Sequence, residues 1–392
     1  MTRTRSQRVS MVTRELNSYR VAFFDEARRL LADEHIEFDL FVGGATSADR
    51  AKGDPATLDW AKNLAVREIS VRGRELWWQP VIKLARSSDM IITEQASKQL
   101  SNVPLAMLQR AGAIRHGLWG HGRNFQQSIE GGSGEGLKSW FTRSAHWFFS
   151  YTEASSHALV DLGFPASRIT TFNNSTDVRE AREAQSSLSP SCAEDVRTEL
   201  GIGAGPIVAY LGALYPPKRT PFLLDSLDAL RAEVSNVEVI VMGGGSDADL
   251  VAHRARERPW LHHLGPVYGL DRVRFASCSE LLLMPGLLGL NVVDGFALGL
   301  PTVTTAIDYH SPEIAYLSHG VNGWICDEDV SPAQYAREVA EILRNPDRLA
   351  RLRAGALRAG DDLGIEPMAV RFANGVKAAL DAPRRRGPYV DR

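Results

Sequence analysis

The sequence predicts an α/β protein made of two doubly wound parallel-sheet domains, and three observations predict it. The chain has 392 residues, enough for two ordinary domains. Short β-rich runs alternate with longer helical runs in both halves, the pattern of parallel strands joined by crossover helices. Between the halves the composition shifts. Residues 179–193, REAREAQSSLSPSCA, hold four serines and a proline and read as a connection, part of it helical.

In the first half, strands are predicted at 9–13, 38–42, 68–71, 90–93, 147–151 and 169–172, with a helix over 23–34. The run MIIT at 90–93 is apolar without alternation, as befits a strand covered on both faces. In the second half, strands are predicted at 207–211, 237–242, 281–284, 302–305 and 324–326, and helices at 221–233, 248–257, 291–298 and 332–344. A last helix over 368–380 follows a loop at 361–367 and is expected to brace the first domain. The division is therefore residues 1–180, a linker at 181–196, a second domain at 197–364, and a carboxyl-terminal helix in 365–392 packing back on the first domain. Two such domains in tandem are expected to hold ligands between the carboxyl ends of their sheets.

Bulk composition narrows the function. With 44% hydrophobic and 23% charged residues the chain is an ordinary globular protein, and a net charge of −2 gives no sign of nucleic-acid binding. Cys192, Cys278 and Cys326 are widely spaced and form neither a disulfide framework nor a metal pattern, which fits a reducing cytoplasm. The amino terminus lacks an apolar h-region, and no run of 18 apolar residues occurs. A cytoplasmic location is expected, at most peripheral at the inner membrane surface. Arg3, Arg5 and Arg8, with Arg384, Arg385 and Arg386, are either solvated ends or a weak attraction to anionic lipid.

The most informative segment is 284–305, MPGLLGLNVVDGFALGLPTVTT: a strand end, a Gly-rich turn, a short helix, a Gly stop, a Pro and a second strand. A turn of small residues opening a helix presents backbone N–H groups beside the positive end of the helix dipole, which suits a phosphate or diphosphate. Asp294 lies eight positions after Gly286 and offers a carboxylate to a hydroxyl-bearing group. Amides for phosphate beside a carboxylate for hydroxyls point to a nucleotide-sugar site.

The second domain opens on Gly212-Ala213-Leu214 and then Tyr215-Pro216-Pro217-Lys218-Arg219. Two cations just before a helix are poorly placed for that helix's own dipole, and well placed if an anion joins them. A solvated loop with ordinary surface charges is the plainer reading. Gly243-Gly244-Gly245 after the strand VEVIVM allows close approach of a ligand or another backbone. Ser246 or Asp247 can cap the next helix. Asp247-Ala248-Asp249 also spells a D-x-D, the metal-holding pattern of another class of sugar-transfer enzymes, although no further acidic cluster supports a metal. Val267-Tyr268, after the His262-His263 pair, either flank a nucleobase or belong to a core strand with a surface aromatic.

In the first domain the notable segment is Arg115-His116-Gly117-Leu118-Trp119-Gly120-His121-Gly122-Arg123-Asn124. Glycines on both sides of His121 leave its ring room to project from a strand end, while the loops holding Arg20, Glu94 and 126–136 carry no pattern that physics decodes into a ligand. His310-Ser311-Pro312-Glu313 closes the series, with Glu313 either a favourable helix-start charge or a residue that reaches the cleft. No G-x-S-x-G elbow, P-loop or C-x-x-C pattern occurs.

With these residues in view, the second half resembles the retaining GT-B glycosyltransferases of family 4, over about residues 212–323, and the first half more loosely. The family's G-R-L-x-x-x-K turn corresponds to Gly212-Ala213-Leu214 and Lys218, with Ala213 where the family has arginine and Arg219 as a candidate substitute. Its paired glutamates fall on Gly286 and Asp294; the first tends to contact the donor sugar and the second the ribose. Of its G-F-G-L, Gly289 and Leu290 match, and the amides of Gly289, Leu290 and Asn291 remain available. Gly299-Leu300-Pro301 and Pro312-Glu313…Gly320…Asn322-Gly323 also fit, and Trp119–Asn124 is similar to the family's His-bearing loop.

The resemblance implies two Rossmann-like domains facing across a cleft, and transfer of a sugar from a nucleoside-diphosphate donor with retention. No cofactor or metal is expected. The donor is expected to be of UDP or GDP type; the acceptor a sugar, a lipid-linked or a small molecule; and the setting polysaccharide or glycoconjugate synthesis. His121, Lys218 and Arg219 are the expected catalytic residues. Gly212, Gly244, Val267, Tyr268, Gly286, Gly289, Leu290, Asn291, Asp294 and Glu313 are the expected donor site. The rival expectations are a GT-B nucleotide-sugar epimerase and a non-catalytic GT-B subunit that binds a nucleotide or a partner.

Overall fold

The computed structural model describes residues 6–44, 56–71, 74–122 and 135–389. The chain divides into two compact units, one formed by Met1–Asn174 and Ile365–Arg392, the other by Ser175–Gly364.

The first unit carries strands β1 (Gln7–Thr13), β2 (Ile36–Val42), β3 (Lys62–Asn63), β4 (Arg67–Val71), β5 (Arg74–Trp78), β6 (Met90–Glu94), β7 (His116–Gly120), β8 (Trp147–Ser150) and β9 (Ile169–Thr171). Seven of them form one parallel sheet in the order β3-β2-β1-β6-β7-β8-β9. The run at 68–71, predicted as a sheet strand, instead pairs antiparallel with β5 in a separate hairpin. Its burial is slight, so nothing drives it into the sheet. Strand β7, HGLWG, is not among the predicted strands, although the reading of His121 at a strand end anticipates where it finishes. Gly117 packs tightly there: a Cβ would meet the flexible Met90 Cε at 2.5 Å and Phe149 Cε2 at 3.4 Å. The helix Val21–Asp33 buries Phe23, Phe24, Ala27 and Leu31 at helical spacing. Against it packs the helix Ile365–Asp381, whose Phe372 ring lies 5.3 Å from that of Phe23 and 4.9 Å from that of Phe149.

The second unit carries β10 (Ile207–Leu211), β11 (Glu238–Met242), β12 (Leu261–Gly265), β13 (Leu281–Leu283), β14 (Thr302–Thr305) and β15 (Gly323–Cys326), a parallel sheet in the order β12-β11-β10-β13-β14-β15. Residues 181–196, predicted as a linker, are not one. They fold mostly into the helices Val178–Ser186 and Cys192–Leu200, whose Val178, Ala181, Cys192 and Val196 enter the second core. The serines and proline mark only the turn between them. Arg182 fastens the first of these helices to Ala297 O, Leu357 O and Asp361. The predicted loop at 361–367 shrinks to the junction of two long helices, Pro346–Asp362 and Ile365–Asp381. Pro367 sits in the first turn of the second, where a missing N–H costs nothing.

In each sheet the chain starts at a central strand and winds outward to both sides. The reversal falls between β1 and β6 in the first unit and between β10 and β13 in the second. Ligands of doubly wound sheets bind outside the carboxyl ends of the strands at that reversal. Thr13 and Glu94 end the flanking strands in the first unit, and Gly212 and Met284 follow them in the second.

Three histidines of the first unit are held neutral by burial. His116 and His121 are pushed down to about 3 and His146 to about 4. His116 lies 2.8 Å from Thr93 Oγ1, and His146 Nε2 donates to Ala379 O at 2.8 Å. A histidine whose folded pKa lies below its unfolded value leaves the unfolded state with more bound protons under pH 6.5, so stability falls on acidification. The melting temperature should therefore drop progressively from pH 6.5 towards pH 4, and a flat profile over that range would contradict this account.

Candidate functional site

The second unit's carboxyl edge is assembled from four turns. After β10, Gly212 adopts φ +136°, and a Cβ there would lie 2.8 Å from Asn291 Nδ2. Asn291 Nδ2 in turn donates to Leu211 O at 3.1 Å, tying the start of the helix Asn291–Ala297 to the end of β10.

The 3₁₀ turn Pro216–Lys218 comes next, and Arg219 follows it at φ +57°. This turn clasps the segment after β13. Leu287 N donates to Pro217 O at 2.9 Å, and Lys218 Nζ donates to Leu287 O at 2.6 Å. Gly286 lies flat against the turn: a Cβ would sit 2.2 Å from Lys218 C and 2.3 Å from Lys218 O. This is why glycine stands at 286. The family pattern's glutamate would drive its Cβ through the Lys218 peptide.

Two more bonds hold the segment from the β14 side. Thr305 Oγ1 donates to Pro285 O at 2.7 Å and accepts from Arg219 Nη1 at 2.9 Å. Leu288 N donates to His310 Nδ1 at 3.0 Å, while His310 Nε2 donates to Thr305 O at 2.7 Å. The two bonds fix the tautomer with the proton on Nε2. Burial first, and then the nearby charges of Lys218 and Arg219, lower the His310 pKa and keep the ring neutral for this role.

Lys218 is 6% exposed, and among the described residues its one hydrogen-bond acceptor is the neutral Leu287 carbonyl. No carboxylate there pairs with it. Burial lowers its pKa from 10.5 to about 8. Arg219 stacks on Phe222 at 4.1 Å and likewise meets no carboxylate among the described residues. The amides of Gly289, Leu290 and Asn291 donate to no acceptor in the described residues. Two cations without counter-charges thus share a rigid turn assembly with three free donors, an arrangement that complements a diphosphate.

Asp294 lies on the same short helix. Its Oδ1 accepts from Thr176 Oγ1 at 3.0 Å, and its Oδ2 is 3.5 Å from Arg272 Nη1. Burial raises its pKa, and Arg272 and Thr176 oppose that. Arg272 belongs to the helix Gly269–Ser277, which Tyr268 precedes. Tyr268 is 78% exposed and Val267 is partly buried against the core. Glu313 is buried at the start of the 3₁₀ turn Pro312–Tyr316.

The three glycines 243–245 serve the backbone. Cβ atoms at Gly243 and Gly245 would lie 2.0 Å from Gly212 O and 2.2 Å from Leu214 O, and at Gly244 2.8 Å from Pro266 Cγ. Neither Ser246 nor Asp247 caps the following helix; Ser246 Oγ donates to Asp247 Oδ1 at 3.1 Å instead. Among the described residues no three His, Cys, Asp or Glu side chains converge as metal ligands.

His121 belongs to the first unit, just past β7, with its ring edge-on to Tyr151 at 4.4 Å and its Nδ1 buried without a partner. Arg123, Asn124 and most of the loop 126–136 lie outside the described residues. Sequence reasoning passed over Thr176, Arg272, Thr305 and the clamping role of His310. Thr305 and His310 carried a signal, by standing in the segments singled out at 284–305 and 310–313.

Comparison with known proteins identifies the fold. The fold is GT-B. The structure of Anabaena HepE in complex with UDP superposes with a TM-score of 0.66 at 16% identity, covering 95% of this chain and 100% of that one. Sucrose-phosphate synthase from Thermosynechococcus elongatus gives 0.67 at 12% identity over 96% and 100%. Residues 205–345 match the family described as Glycosyl transferases group 1. D-inositol 3-phosphate glycosyltransferase of Thermobispora bispora is 25% identical over 254 residues, 60% of this chain and 57% of that protein. Spore coat protein SA of Bacillus subtilis is 26% identical over 175 residues, 41% and 45% of the two chains. The chain spans about half the length of these curated relatives. No helix among the described residues is long and apolar enough to cross a membrane.

Proposed function

We propose that this chain is a glycosyltransferase that moves a sugar from a nucleoside-diphosphate sugar, of UDP type, to an acceptor hydroxyl. The observation that carries the reading is the buried, carboxylate-free Lys218 beside the free amides of Gly289–Asn291. It lies within the stretch that matches group 1. HepE, of the same fold, is seen with UDP and with UDP-glucose.

In this reading the charge that builds on the departing diphosphate meets Lys218, Arg219 and the amides, groups already in position before the reaction. Asp294, steadied by Thr176 and Arg272, takes the ribose hydroxyls, and Tyr268 flanks the base. No side chain is assigned as a nucleophile in this reading, and the proposed step is attack by the acceptor on the face the leaving group vacates, with retention and without a required metal. Polysaccharide or glycoconjugate synthesis is the proposed setting. Gly286 bears on the rival of a decayed, non-catalytic subunit. Its neighbours Pro285 and Leu287 are hydrogen-bonded and the Lys218 backbone packs against it, which supports a rebuilt site rather than an eroded one.

The test is titration of UDP, GDP, ADP and dTDP against thermal stability. UDP at 100 times its Kd should raise the melting temperature by about 5–10 °C. No response to any of the four defeats the donor reading. Turnover of the donor into an isomer without acceptor would favour the epimerase.

A further inference from the structure

Arg20 is the most unusual charge in the first unit. It ends the 3₁₀ turn Ser18–Arg20 beyond the carboxyl end of β1 and is 5% exposed. Among the described residues its guanidinium makes no hydrogen bond and no ion pair, and its Nη1 is buried without a partner. Only aromatic rings touch it: Tyr19 at 5.0 Å, Trp119 at 5.1 Å and Tyr151 at 5.4 Å. Such stacking orients a guanidinium but satisfies none of its N–H donors, and the buried Nη1 is left without a partner among the described residues.

The nearest rival for those donors is Glu94, whose charge Arg20 feels. Each of its oxygens already accepts one hydrogen bond, and neither accepts one from Arg20. Oε1 accepts from Thr13 Oγ1 at 2.7 Å and Oε2 from Arg14 N at 3.3 Å. The other side of the cluster is cationic, since Arg20 and Lys138 both act on His121. Trp119 Nε1 and His121 Nδ1 are further buried nitrogens without partners at this edge. A buried guanidinium without a hydrogen-bonded counter-ion is costly to keep, and an anion seated on its fork lowers that cost. Everything named lies at the carboxyl edge of the first sheet, Thr13 and Glu94 beside the β1–β6 reversal and Trp119 and His121 at the end of β7.

We propose that Arg20 seats an oxyanion of the acceptor, so that the acceptor is a sugar or polyol bearing a phosphate or a carboxylate. This rests on the glycosyltransferase reading for the word acceptor; the anion seat itself does not. A planar bidentate fork held between aromatic rings recognises either group, and a neutral sugar leaves the fork unpaired.

The test uses the full chain with UDP present in excess, so that phosphate probes do not report on the second unit. Glucose 6-phosphate, glucuronate and glucose are titrated calorimetrically against the wild type, Arg20→Met and Arg20→Lys. One or both anionic probes should bind the wild type at least about 30-fold more tightly than glucose. The stronger of the two identifies the oxyanion. Arg20→Met should lose that preference, Arg20→Lys should keep part of it, and both should bind UDP as the wild type does. In anion-free buffer Arg20→Met should melt no lower than the wild type, because it discards a buried unpaired charge and keeps the aromatic packing.

Equal affinity for glucose and both anions, no saturable binding of any probe, or an unchanged preference in Arg20→Met overturns the proposal. So does a lower melting temperature of Arg20→Met, which would make Arg20 a structural residue. Failure of UDP to bind the wild type defeats the donor reading instead, and leaves the anion preference to be scored separately without UDP.

Discussion

Replacing Lys218 by methionine or alanine should lower kcat/KM by roughly 10²- to 10³-fold, the cost of removing one preorganised donor from a developing anion. The ammonium is buried, and its one acceptor among the described residues is a carbonyl. Methionine keeps the packing and should leave the melting temperature intact, which separates lost charge from lost fold. The pH dependence is a sharper signature. With its pKa lowered to about 8, Lys218 loses its charge far earlier than an ordinary lysine. The kcat/KM should therefore fall about tenfold per pH unit above roughly pH 8. Stability should move the other way. Between pH 8 and 10.5 the unfolded chain holds a proton that the folded chain has released, so the unfolding free energy rises with pH across that window. Activity falling while this contribution to stability grows is peculiar to a cation buried for a ligand. A Lys218→Met enzyme that keeps the alkaline activity limb would show that another group is responsible.

The sequence made parts of this site legible and hid others for physical reasons. The turn at 284–291 and the cations at 218–219 were readable because each is a local pattern: glycines where the backbone approaches closely, charges against a helix start. The strands IVAYL and TVTT were readable because burial on both faces leaves an apolar or β-branched run. Strand β7 was legible only at its end, by His121, because its glycines serve packing, not turning. The helices at 178–186 and 192–200 were hidden because serines in one short turn coloured the composition of the whole stretch. The partners of the site were beyond reach in principle. Thr176 meets Asp294 across 118 residues, and Lys218 meets Leu287 across 69. No local pattern encodes such a pairing. Gly286 shows the limit from the other side. It looked like the loss of a glutamate, and only the closeness of the Lys218 backbone reveals what the glycine does.

That closeness makes Gly286 the least tolerant position in the site. Both Gly286→Ala and Gly286→Glu should destabilise the second unit by about 3 kcal/mol or more, because the clash begins at Cβ and involves backbone that cannot rotate away. The melting temperature should fall by about 6–12 °C. The turn that moves carries Lys218, so UDP affinity should fall with it. The Leu287 bonds to Pro217 O and Lys218 Nζ would be stretched in the same shift. Ala213, where the family pattern has arginine, provides the contrast. It is exposed, and only its carbonyl is engaged, by the Tyr210 hydroxyl at 2.8 Å. Ala213→Arg should fold as the wild type and leave the Lys218 turn in place. If position 286 were merely an eroded catalytic glutamate, Gly286→Glu would keep the fold and raise turnover. If the turn is rebuilt around glycine, the same substitution lowers both, and alanine lowers stability nearly as much as glutamate. Thermal melts of the two variants, with and without UDP, decide between these outcomes.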